Sequence, residues 1–221
     1  ASEIKALLAA AAHRPQMNLA ALDQYLALRL IDAPASMFTG IHKLPPGCLL
    51  TLEPDSAPQV RPYWDLQQLP KLHGSEEQLV DELEARLEEA LRLHMVSDVP
   101  VGAFLSGGVD SSAVVAYMVR HASGPVLSFS IGFTERSFDE TAYARMVAKQ
   151  YKTDHHERTV TPAIEEMLPV LVRHFDEPFG DASAIPTLYL ARMTRERVTV
   201  ALSGDGADEL FGGYRRYRFG V

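Results

Sequence analysis

Two short apolar runs, each followed at once by a glycine-rich turn, constrain this chain more than any other feature. Residues 99–105 lead into Ser106-Gly107-Gly108-Val109-Asp110-Ser111-Ser112. Residues 198–202 lead into Ser203-Gly204-Asp205-Gly206-Ala207-Asp208-Glu209, which continues to Gly212-Gly213-Tyr214. Apolar runs this short, closed by a turn, read as buried strands. Residues 76–96 form an amphipathic helix, with Leu79, Val80, Leu83, Leu87, Ala90 and Leu91 on one stripe. A further helix follows the first glycine-rich turn to about His121, and residues 126–133 are the next strand. Residues 139–150 read as a helix with Asp139 as its cap, 158–160 as a strand and 185–195 as a helix. Strands alternating with helices predict an α/β fold, a mostly parallel sheet with helices on both faces. Ligands of such sheets sit at the carboxyl ends of the strands, where both turns lie.

The chemistry of the turns follows from their residue types. Glycines let the backbone turn tightly and approach an anion with no Cβ in the way. The helix after the first turn offers unpaired N–H groups and the positive end of its dipole. The hydroxyls of Ser106, Ser111 and Ser112 can donate to phosphate oxygens. Asp110 would repel a phosphate unless a cation such as Mg2+ bridged the two. No Gly-Lys-Ser or Gly-Lys-Thr follows, so this is not the Walker loop. The second turn crowds Asp205, Asp208 and Glu209 together, and that crowding calls for a cation or a proton. The plainer alternatives are a serine-capped strand–turn–helix and an acidic surface turn.

The formal net charge of -8 argues against non-specific binding of nucleic acid, which needs an excess of Lys and Arg. The one cysteine, Cys48, leaves no internal disulfide and no zinc spacing, and it fits a reducing, cytoplasmic setting. No apolar run is long enough to cross a bilayer, so no membrane partner is expected. Ahead of residue 54 the pattern gives a helix over 19–31 with Asn18 as N-cap, a loop at Gly40-Ile41-His42-Lys43-Leu44-Pro45-Pro46-Gly47, and a strand over 48–52. Residues 53–58 and 67–70 read as turn and linker material. This front section is too short and proline-broken to make a core alone.

The two glycine-rich turns, with Phe175-Asp176-Glu177-Pro178 between them, resemble the synthetase domain of glutamine-dependent asparagine synthetases, an ATP-pyrophosphatase (adenine nucleotide alpha-hydrolase-like) fold. The resemblance extends to residues 40–47, to Tyr63-Trp64-Asp65-Leu66 and to Ser97-Asp98-Val99-Pro100-Val101-Gly102. It implies that residues 1–65 are the end of a glutaminase domain with its linker, and 66–221 the first part of the synthetase domain. It implies an AMP-forming ligase that takes aspartate, ATP and ammonia or glutamine, uses Mg2+, and is compatible with a homodimer. Leu105 and Ile131 would border the adenine. Ser106, Gly107, Gly108, Asp110 and Ser111 would hold the departing pyrophosphate. Ser203 and Gly204 would border the nucleotide, and Asp110 and Asp208 would bind the metal. Asp205 would stand beside aspartate and its adenylate as the catalytic carboxylate. Asp176, Glu177 and residues 181–185 would shape the acceptor side. β-Lactam synthetases and lasso-peptide cyclases share the paired motifs, so the acceptor is open to another carboxylate, and a non-catalytic nucleotide-binding scaffold is the third reading. The resemblance also leads us to expect a fragment that lacks the glutaminase nucleophile, with weak or no synthesis by itself.

Four features call for plainer readings. His155-His156 is a loop or strand edge, since neighbours point apart. Glu82, Glu84, Glu88 and Glu89 are a solvated helix face. Tyr63 and Trp64 pack the linker against a domain. The run from Tyr214 to Arg218 is too short to read as an RNA surface.

Overall fold

The computed structural model describes residues 1–65, 70–134, 141–161 and 163–219. Asp139 and the stretch Leu66-Gln67-Gln68-Leu69 lie outside the described residues. The chain forms two compact units, one of Ala1–Lys71 with Ala163–Ile185, the other of Leu72–Pro162 with Pro186–Val221.

The first unit opens with α1 (Ile4–Ala10) and α2 (Leu19–Leu28). The Asn18 side chain accepts the Ala21 N–H and caps α2 as expected. The helix stops short of residue 31 because Arg29 turns into the left-handed region (φ 63°), with its N–H donated to the Tyr25 carbonyl. β1 (Cys48–Thr51) pairs antiparallel with β2 (Gln59–Pro62), a strand the sequence pattern does not reveal. Gly47 accepts the N–H groups of Tyr63 and Trp64 at 2.8 and 3.2 Å. The expected packing role of that pair thus belongs to backbone, because the Tyr63 and Trp64 side chains are exposed. Ala21, Ile31 and Met37 form a small buried cluster.

The second unit is the α/β layer. Its elements run α3 (Glu76–His94), β3 (Val101–Phe104), α4 (Val109–His121), β4 (Leu127–Phe133), α5 (Thr141–Tyr151) and β5 (Asp154–Val160). The chain then supplies α6 (Ile164–Phe175) to the first unit. It continues through α7 (Ala184–Arg195), β6 (Val200–Leu202), the short α8 (Ala207–Phe211) and a 3-10 turn (Arg215–Phe219). Ser75 and Gln78 close a capping box at the start of α3.

The four strands are parallel in the order β5-β4-β3-β6. Side chains alternate across the sheet, and each face is covered. Ala103, Leu105, Val115, Met118, Val126, Ala144 and Ala148 make one core, which joins β3 to α4 and α5, with Leu91 and Met95 of the α3 end against it. Phe129, Met193 and Val198 make the other, with Phe104, Leu127, Ile131 and Leu190 beside them. Burying apolar side chains of this size contributes roughly 1.5–3 kcal/mol each. The expected fold, a parallel sheet with helices on both faces, is therefore the observed one.

The acidic face of α3 is less idle than a solvated fringe. Glu84 accepts from Arg120 at 2.9 Å and Glu88 bonds His121 at 3.0 Å, tying α3 to α4. Glu82 and Glu89 pair along the helix with Arg86 and Arg92. Such exposed pairs are each worth only ~0–1 kcal/mol.

Candidate functional site

Strand order locates the site. From β3 the chain winds outward through β4 to β5, then returns by way of α7 on the opposite face to place β6 on the other flank of β3. The winding direction therefore reverses between β3 and β6. Such a reversal opens a crevice at the carboxyl ends of the two strands, the usual ligand position in an open α/β sheet. Both glycine-rich turns leave from those two strand ends.

The first turn is drawn tight by its own hydroxyls. The Ser111 Oγ accepts the Ser106 N–H at 3.2 Å and lies 3.0 Å from the Ser106 Oγ, which in turn accepts the Gly108 N–H at 3.2 Å. Ser111 is buried, whereas Ser106 is exposed. Gly107 has φ +85°, and a Cβ there would lie 2.5 Å from the α5 backbone at Tyr143 and Ala144. Only glycine fits that place on both counts. Gly108 occupies the N-cap of α4 and offers no side-chain acceptor, so the first-turn N–H groups have no side-chain cap. The thirteen-residue helix thus presents uncapped donors and its positive end to the crevice, with Asp110 in the first turn.

The second turn packs directly on the first. A Cβ on Gly204 would lie 2.9 Å from both the Asp110 Cβ and the Ser111 nitrogen. Ser203 donates its hydroxyl to the Asp205 carboxylate at 2.9 Å and so orients an exposed side chain. The Asp208 carboxylate faces Gly213, whose N–H bonds the Asp208 carbonyl at 3.0 Å. Tyr214 donates to Glu209 at 2.6 Å; that bond pushes the Tyr214 phenol up to about 12 and lowers the Glu209 carboxyl. Arg216 lies over the Tyr214 ring, 4.4 Å from its centroid, so the basic-aromatic run folds back on itself.

The structure thus brings Ser106, Gly107, Gly108, Asp110, Ser111, Ser203, Gly204 and Asp205 to one crevice. Leu105 is buried, with its N–H on the Phe129 carbonyl and its own carbonyl accepting from the Ser130 hydroxyl. A carbonyl keeps a second lone pair for a ligand. Ile131 lies in β4, in the core with Phe129. Among the described residues no group of three or more His, Cys, Asp or Glu side chains is arranged to hold a metal ion. Asp176, Glu177 and residues 181–185 belong to the first unit. Their partners there are Lys5, Met37 and Lys43; Lys43 lies in the 40–47 segment, but nothing local in the sequence shows these pairings.

His155 and His156 lie on β5 opposite Ser128 and Phe129. They point to opposite faces: His155 bonds the Ser128 hydroxyl through Nδ1 at 2.8 Å, and His156 stacks on Phe129. They are structural, not a metal pair.

The asparagine synthase family matches residues 82–221, and the glutamine amidotransferase domain matches residues 1–64. The chain is 37% identical over 220 residues to the asparagine synthetase [glutamine-hydrolyzing] 1 of Bacillus subtilis, covering 99% of this chain and 34% of that protein. It is 34% identical over 202 residues to the amidase chyE of Penicillium rubens, covering 83% of this chain and 30% of that protein. It therefore spans about a third of the length of these curated relatives. The solved NMN synthetase of Francisella tularensis aligns over 61% of this chain and 58% of its own, with a TM-score of 0.43 and 20% identity. Among the described residues no helix is long and apolar enough to cross a membrane. By its matched sequence over residues 82–221, this chain belongs to the asparagine synthase family.

Proposed function

We propose that the crevice holds Mg-ATP for an AMP-forming amide ligase that converts aspartate to asparagine with ammonia drawn from glutamine. The observation that carries this reading is the seating of Gly204 on Asp110 and Ser111, which joins an uncapped helix start to an acidic turn. The α4 N–H groups and the Ser106 hydroxyl bind the β- and γ-phosphates. Asp110 and Asp208 are the residues that would hold a Mg2+, which would supply positive charge beside the phosphates. The Leu105 carbonyl and Ile131 border the adenine, and Ser203 and Gly204 border the rest of the nucleotide.

In the first step the β-carboxylate of aspartate attacks the α-phosphorus, forming β-aspartyl-AMP and releasing pyrophosphate. These residues act by positioning and by fixed charge. In the second step ammonia adds to the activated carbonyl, loses a proton and expels AMP. Asp205, exposed and oriented by Ser203, accepts that proton.

The test is aspartate-dependent ATP–pyrophosphate exchange by the full-length protein, with other carboxylates as controls. Aspartate is expected to support exchange, and Asp110→Ala to lower it by about 100-fold, as loss of a transition-state charge contact does. Exchange with another acid but not with aspartate overturns the acceptor and leaves the adenylation chemistry. Unchanged exchange in the variant overturns the metal placement.

A further inference from the structure

Asp176 and Glu177 are adjacent carboxylates with nearly buried side chains, 7% and 14% exposed, and each is held in the same two-handed way. Asp176 accepts the Lys5 backbone N–H at 2.9 Å and pairs with the Lys5 ammonium at 3.1 Å. Glu177 accepts the Met37 backbone N–H at 2.9 Å and pairs with the Lys43 ammonium at 2.6 Å. Lys43 also donates to the Ile31 carbonyl at 2.7 Å, so one ammonium joins the two segments. Phe175 and Phe179, which flank this pair in the chain, stack on each other with ring centroids 4.2 Å apart. Next along the chain, Gly180 lies so close to Arg29 that a Cβ would come within 2.5 Å of the Arg29 Cβ. Within five consecutive residues, two are thus bound and a third closely packed against the part of the chain that matches the amidotransferase domain. They themselves lie within the asparagine synthase match.

We propose that Asp176 and Glu177 are positioning residues that clamp residues 178–185 onto the amidotransferase-type front section, and so build the acceptor side into the unit associated with ammonia supply. The acceptor role of 181–185 rests on the proposed function; the clamp does not. Each carboxylate receives one lysine charge together with backbone N–H donation, so removal of a lysine leaves a buried charge only partly satisfied, whereas removal of both charges does not.

Hydrogen exchange on the full-length protein tests the clamp without reference to the acceptor. Lys43→Met is expected to speed exchange of the Met37 amide and of residues 178–185 by about tenfold, the effect of one lost hydrogen bond to a charged group. Lys43→Arg is expected to keep the parent rates, and the pair Lys43→Met with Glu177→Gln to return most of the way to them. Faster exchange confined to residues near Lys43, with 178–185 unchanged, overturns the clamp. In steady-state assays Lys43→Met is expected to raise the acceptor KM and to lower amide formed per glutamine hydrolysed several-fold, with the ATP KM unchanged. An unchanged ratio in a variant with the expected exchange overturns the link to ammonia supply. A parent enzyme that makes no amide from aspartate overturns the proposed function instead, and exchange still decides the clamp.

Discussion

At the scale of single residues, the site is decided by atoms that are missing. Gly107 and Gly204 each stand where a Cβ would press on a neighbouring backbone, one on α5 and the other on the start of α4. Gly204→Ala therefore has two expected effects. Overpacking lowers stability by about 1–3 kcal/mol. Displacing the second turn by ~1 Å lowers pyrophosphate exchange by about 100-fold, as misplacement of that size does. A urea titration separates the first effect from the second, and exchange at normal rate in a folded variant would show that the two turns act independently. Reading the sequence identifies these glycines as turn-formers; it does not say which backbone each one admits.

At the scale of elements, β5 runs from Asp154 rather than from residue 158, because His155 and His156 are absorbed into the ladder beside β4. That polar stretch reads in sequence as a loop or a strand edge, and β5 is the edge strand of the sheet. His155 is 13% exposed and its Nε2 has no hydrogen-bond partner. Burial holds its imidazole below the ordinary value of 6.5, against the opposing pull of Glu157. The unfolded chain then binds the proton more readily than the folded one. The stability this residue contributes is whole above pH 6.5 and declines as pH falls from there toward the lower folded value. His155→Asn, which keeps a hydrogen bond to Ser128, is expected to flatten the fall of the thermal midpoint between about pH 7 and 5. Equal slopes in parent and variant would assign the acid sensitivity elsewhere. The sequence pattern likewise does not reveal helix α6, which contains Pro169.

At the scale of the whole molecule, two features matter: the reversal of strand order at β3, and the recruitment of Ala163–Ile185 into the unit of Ala1–Lys71. The front section was expected to lack a core of its own. It acquires α6 and the segment after it, with buried carboxylates as the fasteners. In the other unit Phe129, fully buried on β4, fills the layer beneath α7 together with Met193 and Val198. Phe129→Ala is expected to cost about 3–5 kcal/mol, read as a lower urea midpoint. A cost under ~1 kcal/mol would mean that α7 collapses into the space.

By itself the sequence determined the α/β class, most strand and helix positions, and the two glycine-rich turns of the proposed site. These are local matters: periodicity, glycine placement and short-range capping act over a few residues and are visible in order along the chain. Only the tertiary structure decided that Gly204 seats on Asp110 and Ser111, that His155 and His156 are interior to a ladder, and that Asp176 and Glu177 are paired with Lys5 and Lys43. Each of these joins residues far apart in the chain. A buried carboxylate is indifferent to how far along the chain its counter-charge lies, so long as the fold brings it within hydrogen-bond reach.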